Sequence, residues 1–140
     1  MRIKDFLAIA IVILLVLQSC EKKEKDPRDK FVGTWKGLYT VKIDMLNLSE
    51  SDSVMVVIEK DTANPSQILI DEMEAVINGD AYTYKEVSEG DIDPVLGPII
   101  VTLNGSGTLL GSNITETGQL KIKTATLNIA GTWSQNLKKQ

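Results

Sequence analysis

From residue 33 to residue 43 the chain alternates. The odd positions carry Gly33, Trp35, Gly37, Tyr39, Val41 and Ile43, the even ones Thr34, Lys36, Thr40 and Lys42, and Leu38 alone breaks the pattern. A period of two is that of a strand with one buried face. A helix of the same residues would scatter Trp35, Tyr39, Val41 and Ile43 around its axis. It would also hold two interior glycines, each costing about 1 kcal/mol against alanine. Residues 31–43 therefore read as the first strand of the body.

The rest of the chain continues in the same idiom. A polar stretch, 47–52, reads as a loop, and 53–61 as a strand that is apolar on both faces in its first half. Asn64 and Pro65 supply a turn within 62–67, and 67–72 is a short third strand. Asn78, Gly79 and Asp80 lie between the apolar runs 75–77 and 81–87, and Asn-Gly between such runs is a strong hairpin signal. Two glycines and two prolines make 89–98 a longer loop before the apolar strand that starts at 99–103. Gly105, Gly107 and Gly111 read as bulges or bends. Leu120 and Ile122 alternate with Lys121 and Lys123, but Leu127, Ile129 and Trp133 hold the opposite parity, so a bulge or turn falls near Ala125. The pattern gives eight to ten strands and no amphipathic helix. It predicts an all-β fold, an antiparallel up-and-down β-barrel of about eight strands, since closure removes exposed sheet edges.

The first thirty residues are different. Arg2 and Lys4 precede an unbroken apolar run from Phe6 to Leu17, the n-region and h-region of a secretory signal peptide. Twelve helical residues reach only about 18 Å, short of the ~30 Å hydrocarbon core. Leu17, Gln18, Ser19 and Cys20 follow, and they resemble the lipobox of bacterial lipoproteins, with Gln18 a less usual occupant of its place. The alternative is an ordinary signal peptide with a chance cysteine, but Cys20 is the only cysteine and stands where the apolar run stops. The resemblance implies a signal peptide over 1–19, lipid on Cys20, and a protein held at the cell envelope, in the outer membrane, on its periplasmic or its surface side. More than one acyl chain makes such an anchor firm. Residues 21–30 lack any apolar side chain and contain Pro27, so 20–30 reads as the lipidated cysteine with a solvated tether, and 31–140 as the barrel.

A family resemblance rests on Gly33, Thr34 and Trp35. This Gly-x-Trp resembles the hallmark of lipocalin-like, calycin-type barrels, in which the tryptophan plugs the closed end. Lipobox, charged tether, Asn-Gly hairpin, the Gly-Ser-Gly-Thr of residues 105–108 and a final strand ending in lysine are together similar to small bacterial lipocalin-like lipoproteins. In lipocalins a late arginine stacks on that tryptophan. Here the late cations are Lys138 and Lys139, which implies a weaker contact or none. A second Gly-Thr-Trp, at 131–133, would bring Trp133 beside Trp35 in one plug if first and last strands are neighbours; the other reading is coincidence.

Composition narrows the chemistry. The 140 residues have a net charge of −4, which argues against nucleic acid as a partner. There is no histidine, so His-dependent triads and ordinary zinc sites are excluded, and no cofactor is expected. Carboxylates are plentiful at Asp71, Glu72, Glu74, Glu86, Glu89, Asp91 and Asp93, but no spacing singles out a catalytic pair, and Asp91 with Asp93 makes no complete calcium loop. The expectation is a protein that is not an enzyme. Its inward residues would be Tyr39, Val41, Val56, Ile58, Ile68, Ile70, Tyr82, Tyr84, Val101 and Leu103, lining room for a small apolar ligand, with the hydroxyls of Tyr82 and Tyr84 orienting a polar end. The alternative is a filled barrel that contacts other proteins or glycans through its surface.

Overall fold

The computed structural model describes residues 24–93 and 97–140, with the side chains of 91–93 left aside. The signal peptide and Cys20 thus lie outside the described residues. Eight strands follow one another: β1 (Gly33–Ile43), β2 (Leu48–Lys60), β3 (Gln67–Ile70), β4 (Met73–Asn78), β5 (Ala81–Asp93), β6 (Gly97–Leu110), β7 (Asn113–Lys123) and β8 (Asn128–Lys139). Each pairs antiparallel with the next, and β1 pairs with β8, which makes a closed eight-stranded up-and-down barrel. The alternation read in β1 holds: Trp35 and Ile43 are buried, Tyr39 and Val41 pack against the core, and Leu38 is 62% exposed on the outer face.

Some boundaries move, for local reasons. Of the polar stretch 47–52, residues 48–52 belong to β2, because their partners Ile43 back to Tyr39 satisfy their backbone groups whatever the side chains are. A short 3₁₀ turn (Asp44–Leu46) makes the connection, closed by Asn47 at φ +48°. The loop expected over 89–98 is largely strand, since β5 and β6 stay paired as far as Asp93 and Gly97. Gly105 and Gly107 are not bulges: β6 keeps one continuous register with β7 through both, and the one shift against β5 falls between Asp91 and Asp93. The parity change near Ala125 is the turn between β7 and β8.

The tether is also shorter than its composition suggests. Residues 26–31 turn back onto the barrel end, where the Arg28 guanidinium bonds the Asp26 carboxylate and the backbone oxygens of Asp61 (2.8 Å) and Asn64 (3.2 Å). Lys60 reaches Asp26 and Asp29 from β2. This turn lays Phe31, fully buried, over the closed end. Trp35 donates its Nε1–H to the Phe31 carbonyl (2.7 Å), and Lys139 Nζ stands 5.4 Å from the Trp35 ring centroid. A lysine therefore occupies the place where the resemblance implies an arginine, and the contact is present. Trp133 does not share this plug. It pairs with Val41, six residues along β1 from Trp35, and sits at the middle of the barrel.

β3 and β4, of four and six residues, are less than half as long as β2 and β5, of thirteen each. β2 meets β3 only at Ile58–Lys60, and β5 meets β4 only over residues 81–84, so the wall is notched on that side. The third strand stops at Ile70 because Asp71 and Glu72 form the turn, at φ +46° and +75°. Asp71 finishes the ladder in place of a strand residue: its N–H donates to Val57 O (2.9 Å), and its Oδ1 accepts from Val57 N–H (2.8 Å). A left-handed backbone costs a non-glycine residue about 1 kcal/mol, least for Asp or Asn. Glu72→Gly is therefore expected to raise stability by about 1 kcal/mol, read as a melting temperature higher by about 3 °C. An unchanged or lower value would mean that the Glu72 side chain stabilises the turn.

Candidate functional site

Strand register explains how the barrel interior is filled. One continuous line of paired residues runs Tyr82, Gly107, Glu116, Gln135, Tyr39, and the next runs Tyr84, Gly105, Gly118, Trp133, Val41. In each, glycines stand between the large residues, and the rings lie across them. A Cβ on Gly107 would be 2.2 Å from Tyr82 Cζ, and one on Gly105 would be 2.5 Å from Trp133 and 2.8 Å from Tyr84. The missing side chains let Tyr82, Tyr84, Trp133 and Tyr39 form one row, with neighbouring centroids 6.4, 6.1 and 6.3 Å apart. Phe31 closes the row edge-on against Tyr82 at 5.5 Å.

The Tyr82 end of this row lies in a solid half of the barrel, and its Tyr84, Trp133 and Tyr39 end in a hollow one. Phe31, Trp35, Ile58, Ile68, Ala75, Tyr82, Ile114 and Leu137 pack the closed half. Above them a cavity of ≈ 210 Å³ is lined by Tyr39, Val54, Val56, Ile70, Asp71, Met73, Tyr84, Leu103, Trp133 and Gln135, so the β3–β4 turn forms part of its wall. Of the ten inward residues expected from sequence, Tyr39, Val56, Ile70, Tyr84 and Leu103 line this space. Ile58, Ile68 and Tyr82 belong to the solid floor, while Val41 packs against the core and Val101 lies half-buried on β6.

Between floor and cavity lies a buried polar group that the sequence reading passed over. Glu116 is fully buried. Tyr82 Oη–H donates to one of its carboxyl oxygens and Gln135 Nε2–H to the other. Tyr82 is thus committed to Glu116 and is not free to orient a ligand, which corrects the expectation for that hydroxyl. The available signal was parity. Glu116 shares its face of β7 with Ile114, Leu120 and Ile122, and Gln135 shares its face of β8 with Trp133 and Leu137. Trp133 Nε1, over Gly118, is the buried side-chain polar atom with no partner among the described residues.

Burial pushes the Glu116 carboxyl up to about 7, with Asp71 adding to the rise and the Tyr82 hydrogen bond opposing it. Burial also raises both Tyr82 and Tyr84, so both phenols stay protonated. For Glu116 the folded state holds the proton more tightly than the unfolded state. Stability is therefore full below about 4.5, falls as pH rises to about 7, and stays low beyond. At ~1.4 kcal/mol per unit the loss is on the order of 3 kcal/mol. Urea titrations at pH 5 and pH 8 are expected to show this fall in the wild type and to lose it in Glu116→Gln. A fall that persists in the variant would assign it to another group.

Among the described residues no three His, Cys, Asp or Glu side chains converge as a metal site. The side chains of Asp91 and Asp93 are outside those described. No protein-family model and no curated protein matches the chain. Among solved structures, a protein of unknown function from the DUF3598 family of Nostoc punctiforme is similar over 80% of this chain, at 14% identity and a TM-score of 0.43. The match covers 48% of that protein, so this chain spans about half its length, and the likeness is too loose to carry an argument.

Proposed function

We propose that this protein is a lipocalin-like lipoprotein of the bacterial envelope, held by lipid on Cys20, that binds a small apolar molecule and is not an enzyme. The observation that supports binding is the cavity of ≈ 210 Å³ at the hollow end of the aromatic row. Its walls are mostly aliphatic and aromatic and its polar groups few, as in ligand pockets generally. A cavity of about 150 Å³ already admits a benzene-sized guest, so the expected ligand is one ring or a short chain rather than a long fatty acid. The Gly-x-Trp start of β1, with Trp35 under Lys139 at the closed end, supports the lipocalin-like reading.

Two experiments test the two halves of the reading. Cys20→Ser, expressed in a diderm bacterium, is expected to lose lipid labelling and to leave the membrane fraction; unchanged fractionation ends the anchoring half. The soluble form from Lys22 onward, titrated with toluene and followed by tryptophan fluorescence, is expected to saturate at about one guest per barrel. No saturation by a folded protein would turn the reading to the alternative, a surface or periplasmic lipoprotein that works through its outer face.

A further inference from the structure

The charged residues of the barrel are sorted by face, and the sorting is not the same at its two ends. On the notched half, the ionisable residues on the inward parity of the described strands are all acidic: Glu50 and Asp52 on β2, Glu86 on β5 and Glu116 on β7, with Asp71 on the cavity lining. The cations of the same half, Lys42, Lys85, Lys121 and Lys123, take the outward parity and are exposed. The inward cations Lys60 and Lys139 belong to the closed end, where they serve the N-terminal turn and the Trp35 ring. No cation lines the cavity.

Gln135 adds a second, independent observation. It is 7% exposed, and its amide nitrogen is taken by Glu116. Its carbonyl oxygen accepts no hydrogen bond from any described residue and is left to the cavity that Gln135 lines. With the amide held that way, Gln135 offers a guest an acceptor, while Trp133 Nε1–H on the same lining is a donor without a partner among the described residues. Beside it stand the Tyr39, Tyr84 and Trp133 rings, whose faces favour cations over anions.

We propose that the cavity takes a small apolar amine as its ammonium ion, its N–H groups on the Gln135 carbonyl and its charge in the field of Asp71 and the acidic mouth. This rests on the cavity being a binding site and adds the chemical class of the guest. A carboxylate of the same size is disfavoured by charge: Asp71 and the acidic mouth repel it, no cation on the lining offsets them, and the Trp133 Nε1–H is a neutral donor that would favour it. Gln135 is the contact residue, and Glu116, which fixes the amide, is a positioning residue.

Four guests with one ring and different heads test it: benzylamine, benzyl alcohol, toluene and benzoate, titrated at pH 8 into the soluble form from Lys22 onward. Benzylamine is expected to bind at least tenfold tighter than toluene, benzyl alcohol between them, and benzoate weakest. Asp71→Asn keeps the oxygen that accepts from Val57 N–H while removing the charge, and is expected to shrink the benzylamine-to-toluene ratio several-fold with toluene affinity unchanged. Gln135→Met is expected to do the same to the benzyl alcohol-to-toluene ratio. Benzoate equal to or tighter than benzylamine overturns the amine class. So does a wild-type benzylamine-to-toluene ratio near one, although the cavity reading would then stand. Failure of all four guests to bind folded protein removes the cavity reading itself.

Discussion

Trp35→Ala is expected to cost about 3 to 5 kcal/mol, the range for truncating a fully buried tryptophan. Native stability is about 5 to 15 kcal/mol, so the loss takes between about a fifth of it and all of it. Three links fail together: the ring that fills the closed end, the hydrogen bond to the Phe31 carbonyl that holds the N-terminal turn, and the surface beneath Lys139. A urea titration with the far-ultraviolet signal of the sheet reads the effect. Lys139→Ala in the same assay is expected to lose only about 0.5 to 1 kcal/mol, since that contact is half-exposed. A Trp35→Ala midpoint close to that of the wild type would mean that the closed end does not hold the fold.

Gly107→Ala adds one methyl group and is expected to be nearly as severe, at about 3 kcal/mol. The new carbon would stand 2.2 Å from Tyr82 Cζ and 2.5 Å from its hydroxyl. Phe31 on one side and Tyr84 on the other leave the ring nowhere to turn. Moving it pulls the hydroxyl from Glu116 and leaves a buried carboxyl with Gln135 alone. Gly90→Ala, where an added carbon meets nothing within 4 Å, is the control and should change stability by less than about 0.5 kcal/mol. In a double-mutant cycle, Tyr82→Leu should cost much less in the Gly107→Ala background than alone. Additive costs would show that the ring and the glycine do not meet.

Strand identity was legible where one face is buried along a whole strand. Parity in β1, and the Asn78-Gly79 signal with Gly79 at φ +62°, depend on neighbours in sequence, and both hold. Pairing across the sheet is another matter. Gly105 and Gly107 read as bends because a strand glycine seen alone has no partner; only the register shows that each receives a tyrosine from β5. The same holds for the site. Glu116 and Gln135 stand nineteen positions apart, and only the β7–β8 register puts them face to face. Arg28 was hidden differently, because in a charged run it reads as solvated, yet besides Asp26 its partners here are backbone oxygens of a loop far along the chain. The notch was partly visible as a short third strand, but its depth follows from Asp71 replacing a strand residue on β2.

Closure of the barrel by β1 and β8 also sets when the protein can fold. β2 to β7 can add one hairpin at a time, but Trp35 finds its partner on the other edge only when Lys139 has been made or delivered. Contacts between the two ends of a chain are the slowest to form, because the whole intervening loop must be ordered or collapsed first. Until then β1 and β7 each present an open edge, the state most prone to pair with another chain. The sheet therefore stays open until β8 is in place between β7 and β1, which makes that strand the timer of the barrel's maturation.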